Sequence, residues 1–176
     1  MYEIQLPKDV KAKLSEDGAL ITISGKLGST SKVVNTSLLE AKLHGDKIVL
    51  EPTPNGKLAA KAALACNSLC FELKSAAEGV EKGVERKMKI IYAHFPISTE
   101  IKGKEVLVKN MFGERNPRVA RIVGDTKVEV KGQDIHIKGV DEYDVGQTAA
   151  NLRKISLQRK KDSRVFQDGV YHTHED

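Results

Sequence analysis

The chain has 176 residues, with 29 Lys and Arg against 24 Asp and Glu, a formal net charge of +5 and a pI near 9.1. That length fits one ordinary domain or two small ones. A hydrophobic content of 40%, with 5% aromatic residues and no Trp, fits small cores of Ile, Val, Leu and Ala better than one large core. The charge points to a polyanionic partner, and no apolar run approaches the roughly 20 residues needed to span a bilayer. Met1 to Val10 has neither the basic nor the apolar region of a secretory signal, so cytosolic residence is expected. Cys66 and Cys70 stand four apart on one face of a predicted helix. That is poor disulfide geometry, and two thiols do not make a zinc site, so buried reduced thiols are expected.

In chain order, residues 2–51 read mostly as strand. Ile4 and Leu6 alternate with polar neighbours, Val10 to Leu14 follows, and Ala19 to Ile23 is a β-branched run ending at Gly25. Gly28 marks a turn and Lys32-Val33-Val34 begins another extended piece. Leu39 to Leu43 and Lys47 to Glu51 flank His44-Gly45-Asp46 as a hairpin, and Pro52, Pro54 and Asn55-Gly56 end the sheet. Leu58, Ala62, Ala65, Leu69, Leu73, Ala76 and Val80 recur at helical spacing and predict a helix from Lys57 to about Val80, stopped by Gly79 to Gly83. A second strand-rich stretch opens at Lys89 to Tyr92. It continues through Glu105 to Val108, Arg118 to Val123, Lys127 to Lys131 and Asp134 to Lys138. Val145, Ala149, Leu152 and Ile155 then form a shorter amphipathic helix, with Asp141 as N-cap. A basic, largely irregular tail is expected after it.

The second half repeats the first. Gly45 to Ile48 matches Gly132 to Ile135, Ile21-Thr22-Ile23 up to Gly28 matches Val106-Leu107-Val108 up to Gly113, and Ala65-Cys66-Asn67 matches Ala149-Ala150-Asn151. Three matches in one order predict an internal duplication. The expected architecture is α+β: two duplicated domains, 1–82 and 83–176, each an antiparallel sheet with one helix packed on it.

The copies differ in charge chemistry. Residues 1–82 hold 11 Lys against 10 acids, whereas 83–176 hold 18 basic residues against 14 acids and all seven arginines. Arginine offers planar bidentate donors to phosphate, so the second copy is the expected nucleic-acid domain and the first a support or protein-contact surface. Between Arg153 and Arg164 six cations (Arg153, Lys154, Arg159, Lys160, Lys161, Arg164) face one acid, Asp162. Such a run reads either as a solvated tail or as a phosphate-binding segment, and Phe166 and Tyr171 favour the second by offering an anchor. Arg115 and Arg118 lie in a loop between strands, either an ordinary polar loop or an RNA contact. Gly146 costs a helix roughly 1 kcal/mol against Ala. It is tolerated noise, a close helix–sheet contact, or a place where a phosphate strand approaches the helix.

No phosphate loop, dinucleotide fold motif, nucleophile elbow or HExxH motif is present, and Asp141, Glu142 and Asp144 read as capping residues. His172 and His174 lack a third ligand nearby, and His136 falls on a polar strand face. Neither enzyme, cofactor nor metal is expected. Sparse aromatics argue for recognition of RNA shape and backbone over base stacking.

Val145-Gly146-Gln147-Thr148-Ala149-Ala150-Asn151-Leu152-Arg153 closely resembles the VGQxAAxIR segment of the universal large-subunit ribosomal protein number six family. The ending Lys161-x-x-Arg164-x-Phe166-x-Asp168-Gly169-Val170-Tyr171 resembles its archaeal and eukaryotic branch. The resemblance covers the whole chain. It implies a structural constituent of the large ribosomal subunit, bound to 23S-type rRNA through the second domain and tail. It also implies a position near the stalk base and factor-binding region, among ribosomal proteins and close to translation factors. The last residues are more acidic than the ending of many relatives. A free-standing RNA-binding regulator and a protein–protein adaptor using the Ala-rich helix are the rival expectations.

Overall fold

Alternating burial runs through most strands of the computed structural model, which describes residues 2–7, 9–45, 47–53, 58–158, 162 and 164–173. The chain divides into two units, Met1–Gly83 and Val84–Asp176. The fold is α+β, with two long helices and antiparallel sheets.

In the first unit β1 (Tyr2–Gln5), β6 (Lys47–Pro52) and β5 (Leu39–His44) form one sheet in the order β1-β6-β5. A second holds β2 (Lys11–Leu14), β3 (Leu20–Ser24) and β4 (Ser29–Val33). Helix α1 (Ala59–Lys82) lies against strands of both. Its buried stripe of Ala62, Cys66, Leu69, Leu73, Ala76 and Val80 faces a core containing Ile4, Ile21, Ile23, Ile48 and Leu50, all at most 1% exposed. Each such aliphatic side chain contributes about 1.5–3 kcal/mol by leaving water. Leu58, expected on this stripe, instead sits at the N-cap and is 48% exposed. The helix runs through Gly79 and stops at Gly83, whose φ of 77° suits glycine and whose N–H donates to the Gly79 carbonyl. Cys66 and Cys70 are free and buried, and burial pushes the Cys66 thiol pKa up.

The second unit repeats this plan. Strands β11 (Lys127–Lys131), β12 (Asp134–Gly139) and β7 (Val84–Ile91) form one sheet, and β10 (Arg118–Arg121), β9 (Glu105–Lys109) and β8 (Ser98–Lys102) form the other. Helix α2 (Glu142–Ser156) packs on strands of both, capped by the Asp141 carboxylate, which accepts from Tyr143 N. The shared register shows the duplication. Ile48 pairs with Ile4 and Leu43, and Ile135 pairs with Met88 and Val130; Ile21 pairs with Leu14 and Lys32, and Val106 with Ile101 and Ala120. In the helices the expected match is one residue out. Burial aligns Ala62, Cys66, Leu69 and Leu73 with Val145, Ala149, Leu152 and Ser156, so Cys66 corresponds to Ala149.

Three elements differ from expectation. Strand β7 begins at Val84, through the exposed charged run Glu85-Arg86-Lys87, before Met88 and Ile90 alternate inward with the exposed Lys89 and Ile91. Strand β8 holds a single aliphatic residue, Ile101, and is defined by its pairing with β9. The tail does not stay irregular: Gly169–His172 forms β13, antiparallel to β7, which makes the larger sheet β11-β12-β7-β13. Among the described residues the first unit has no counterpart of β13.

A side chain at Gly25, at the end of β3, would collide with Val80 Cγ1 and stand 3.2 Å from the Val80 carbonyl oxygen. That same carbonyl accepts Leu27 N at 3.2 Å. Because Val80 is β-branched and fully buried it cannot step aside. Gly25→Ala should therefore destabilise the first unit by about 1–3 kcal/mol, read as a lower urea midpoint by circular dichroism.

Candidate nucleic-acid interface

One end of the second unit gathers the C-terminus of α2, the loop between β9 and β10, the turn after β7 and the tail. Arg153 and Lys154 occupy the last turn of α2, where cations complement the helix dipole. The Arg153 guanidinium lies over the Tyr171 ring at 4.6 Å, a cation–π contact that couples the helix to β13. Lys154 is exposed. Arg159, Lys160 and Lys161 lie outside the described residues. Arg164 is turned on Asp162, with Nε at 3.1 Å and a terminal nitrogen at 2.9 Å, while Val165 N and Phe166 N donate to the Asp162 carbonyl. The hydrogen bonds from Arg164 hold the Asp162 carboxyl below its ordinary pKa.

Phe166 stacks on His94, ring centroids 4.4 Å apart and planes 20° from parallel. Behind this pair lies the Asp168 carboxylate, its side chain 0% exposed. It accepts from the backbone N–H groups of Ala93 at 2.8 Å, His94 at 3.3 Å and Phe95 at 3.4 Å, and its Oδ1 is 3.3 Å from His94 Nδ1. Burial alone pushes the Asp168 pKa up, but these hydrogen bonds outweigh it and hold the carboxyl below its ordinary value. Val170 is fully buried, and its carbonyl accepts the Ser156 hydroxyl of α2 at 3.4 Å. The tail is thus docked by a stack, a buried carboxylate and a strand.

The two loop arginines have different surroundings. Arg118 donates Nε to Glu114 at 2.8 Å and a terminal nitrogen to the same carboxylate at 2.6 Å. Its other terminal nitrogen donates to the Ile155 carbonyl at the end of α2, at 2.5 Å, and the guanidinium lies 5.3 Å from the Phe112 ring centre. The hydrogen bonds between them raise Arg118 and lower Glu114. Arg118 therefore clamps the loop to the helix end, with all three guanidinium nitrogens engaged. Arg115 is exposed, with no ion-pair partner among the described residues.

Gly146 lies elsewhere, seven residues and about 10 Å before Arg153 along α2. A methyl built on it would meet nothing within 4 Å. That rules out close packing against the sheet as its reason and leaves an open strip of helix, continued by the exposed Ala150. Asp168 was visible in the sequence only as one letter of the family ending, and His94 and Glu114 carried no signal, because the roles of all three depend on partners brought together by the fold.

A family model described as Ribosomal protein L6 matches residues 95–169, which run from the turn after β7 to the start of β13. Over 172 residues the chain is 38% identical to the large ribosomal subunit protein uL6 of Methanocella arvoryzae, spanning 97% of this chain and 94% of that protein. The chain belongs to the ribosomal protein L6 family. The uL6 proteins of Picrophilus torridus, 38% identical over 169 residues (96% and 91% covered), and Methanosarcina mazei, 35% over 168 (96% and 93%), agree along nearly the whole length. The similarity to these archaeal sequences makes this an archaeal-type member, and the L6 family is structural, not enzymatic.

Asp168 offers a test by pH. Its folded-state pKa is lowered, so its contribution is fully present above the ordinary carboxyl value of about 3.9 and is lost as pH falls through the lowered one. Acidification through that window should release the tail, seen as loss of the ring-current shifts of His94 and Phe166 by NMR. Asp168→Asn should bring the release to neutral pH and cost about 1–3 kcal/mol of stability by leaving backbone donors poorly met, measured by denaturant unfolding.

Proposed function

We propose that this L6-family chain is a structural component of the large ribosomal subunit and holds large-subunit, 23S-type rRNA through its second unit and tail. The supporting observation is that the cation-rich segment after α2 is fixed at both ends: Arg153 to Tyr171 on one side, and Phe166, Asp168 and β13 on the other. Positive charge between two held flanks favours a register for phosphates, whereas charge on a free tail would give only diffuse attraction. Binding would proceed by phosphate neutralisation and counterion release, with backbone contacts setting position and RNA shape supplying specificity.

In this reading Arg115 and Lys154 face the phosphates directly, joined by Arg153, Arg159, Lys160, Lys161 and Arg164, while Arg118 keeps the loop and helix end in place. Gly146 admits the RNA backbone to the side of α2. The first unit acts as a support against neighbouring ribosomal proteins, to which α1 presents Leu64 and Phe71, each 69% exposed and two turns apart. The family resemblance supports a place in the cytoplasmic ribosome near the stalk base, within reach of translation factors. Cosedimentation with the large subunit in a sucrose gradient separates this reading from a regulator or adaptor, which would remain in the light fractions.

Affinity for deproteinised large-subunit rRNA, measured against salt, tests the contact residues. Replacing Lys154, Arg159, Lys160 and Lys161 together by Ala should reduce the slope of log affinity against log salt by about 3; an unchanged slope would dismiss the tail as the contact. Gly146→Ala should have opposite effects on two readouts. It should raise stability by about 1 kcal/mol, because the helix gains a better former in open space, and it should weaken rRNA binding.

A further inference from the structure

We propose that this end of the second unit also carries a stacking site for one unpaired RNA base, with the Phe95 ring as its platform. The inference rests on the rRNA reading above and names how part of that RNA is gripped. Three of the chain's four phenylalanines, Phe95, Phe112 and Phe166, belong to the segments that meet here. A scarcity of aromatics along the chain therefore becomes a local concentration.

Phe95 is 39% exposed and has no ring partner among the described residues. It follows two residues whose backbone N–H groups, like its own, are fixed on the buried Asp168 carboxylate. The ring is thus carried on an immobilised backbone, which lowers the ordering cost of using it. Its other support is Gly113: a methyl built there would stand 3.3 Å from Cε1 and Cζ of Phe95 and 3.7 Å from Cδ1. Three consecutive ring atoms at such similar distances place the glycine over one face of the ring.

The loop that brings Gly113 there is strained. Asn110 and Phe112 both sit in the left-handed region, at φ 57° and 54°, and Gly113 has φ 77°. Each non-glycine residue in that conformation costs of order 1–3 kcal/mol. The Asn110 side-chain amide donates to the Pro96 carbonyl at 3.0 Å, so the strained loop is tied to the residue next to Phe95. Strain that holds a backbone beneath an exposed ring favours a ring with work at its surface.

Charge selects the occupant. Arg115 follows Gly113 by two residues and is exposed, and Arg118 lies over Phe112. A ring backed by a loop that carries the exposed cation Arg115 two residues on fits a base attached to phosphate better than it fits an apolar peptide. Stacking tolerates any base, and splayed bases in RNA loops are commonly held on aromatic rings.

The test uses the full chain and deproteinised large-subunit rRNA, with filter binding across a salt series and ultraviolet cross-linking followed by peptide mass spectrometry. Phe95→Ala should weaken binding roughly 5- to 100-fold without changing the salt slope, and Phe95→Tyr should restore it to within about twofold. The wild-type chain should carry a nucleotide adduct on residues 93–96. Denaturant midpoints of both variants show whether each remains folded. If the wild-type chain fails to bind the rRNA at any salt, the rRNA reading falls and this inference with it. If the wild type binds, with Phe95→Ala indistinguishable and no adduct on 93–96, only the stacking site is overturned. A reduced salt slope in Phe95→Ala would also overturn it, since the ring would then be placing cations and not a base.

Discussion

A carboxylate removed from water costs several kcal/mol unless donors replace its hydration, and Asp168 meets that demand with backbone. The groups it requires are consecutive N–H donors in the turn after β7, together with the His94 ring. Satisfying one buried charge therefore fixes a turn early in the second unit against a segment some seventy-five residues later. The other contacts follow from that attachment. Phe166 reaches the ring of His94, β13 enters in register on β7, and the Val170 carbonyl comes within reach of Ser156 on α2. Arg118 extends the circuit from the helix end to the loop after β9.

The arginines that distinguish the second copy divide into those that build and those that face outward. Arg118 is committed to Glu114 and the end of α2, Arg86 lies 3.3 Å from Glu142, and Arg164 is bidentate on Asp162. Exposed pairs such as the last contribute little to stability, and a phosphate can compete for that arginine. Arg118 is different, because taking it would unfasten the helix carbonyl and the loop together. Net charge overstates the number of available phosphate donors for this reason, and the geometry indicates which ones are spare.

The sequence made the architecture legible wherever several apolar residues shared one period. Both helices, the hairpins around Gly45 and Gly132, and the duplication all follow from recurring Ile, Val and Ala. Strands β8 and β13, with one aliphatic residue each, escaped. Ile101 in β8 and Val170 in β13 have no local pattern to announce them, and only the edges of β9 and β7 make those segments strands. The helix alignment slipped by one because Ala-Cys-Asn and Ala-Ala-Asn look alike in letters, while burial follows Cys66 and Ala149. At the interface the cations were visible as composition. Asp168 stood in the family-like ending without a role, since nothing in a sequence shows three N–H groups converging on it, and the aromatics looked too few because their gathering is a property of the fold.

Strand β13 has a kinetic consequence. It closes the second unit's larger sheet by pairing Gly169 with Ile91 and His172 with Met88. Contacts so distant in sequence form late, because the intervening chain must first lose its loop entropy. During synthesis the first unit, whose pairings end at Pro52 and whose helix ends at Lys82, can condense while β13 has yet to be made. The cationic end acquires its fixed geometry only when the closing strand arrives. A nascent or shortened chain would thus carry the positive charge without the register, able to attract polyanions and unable to seat on them.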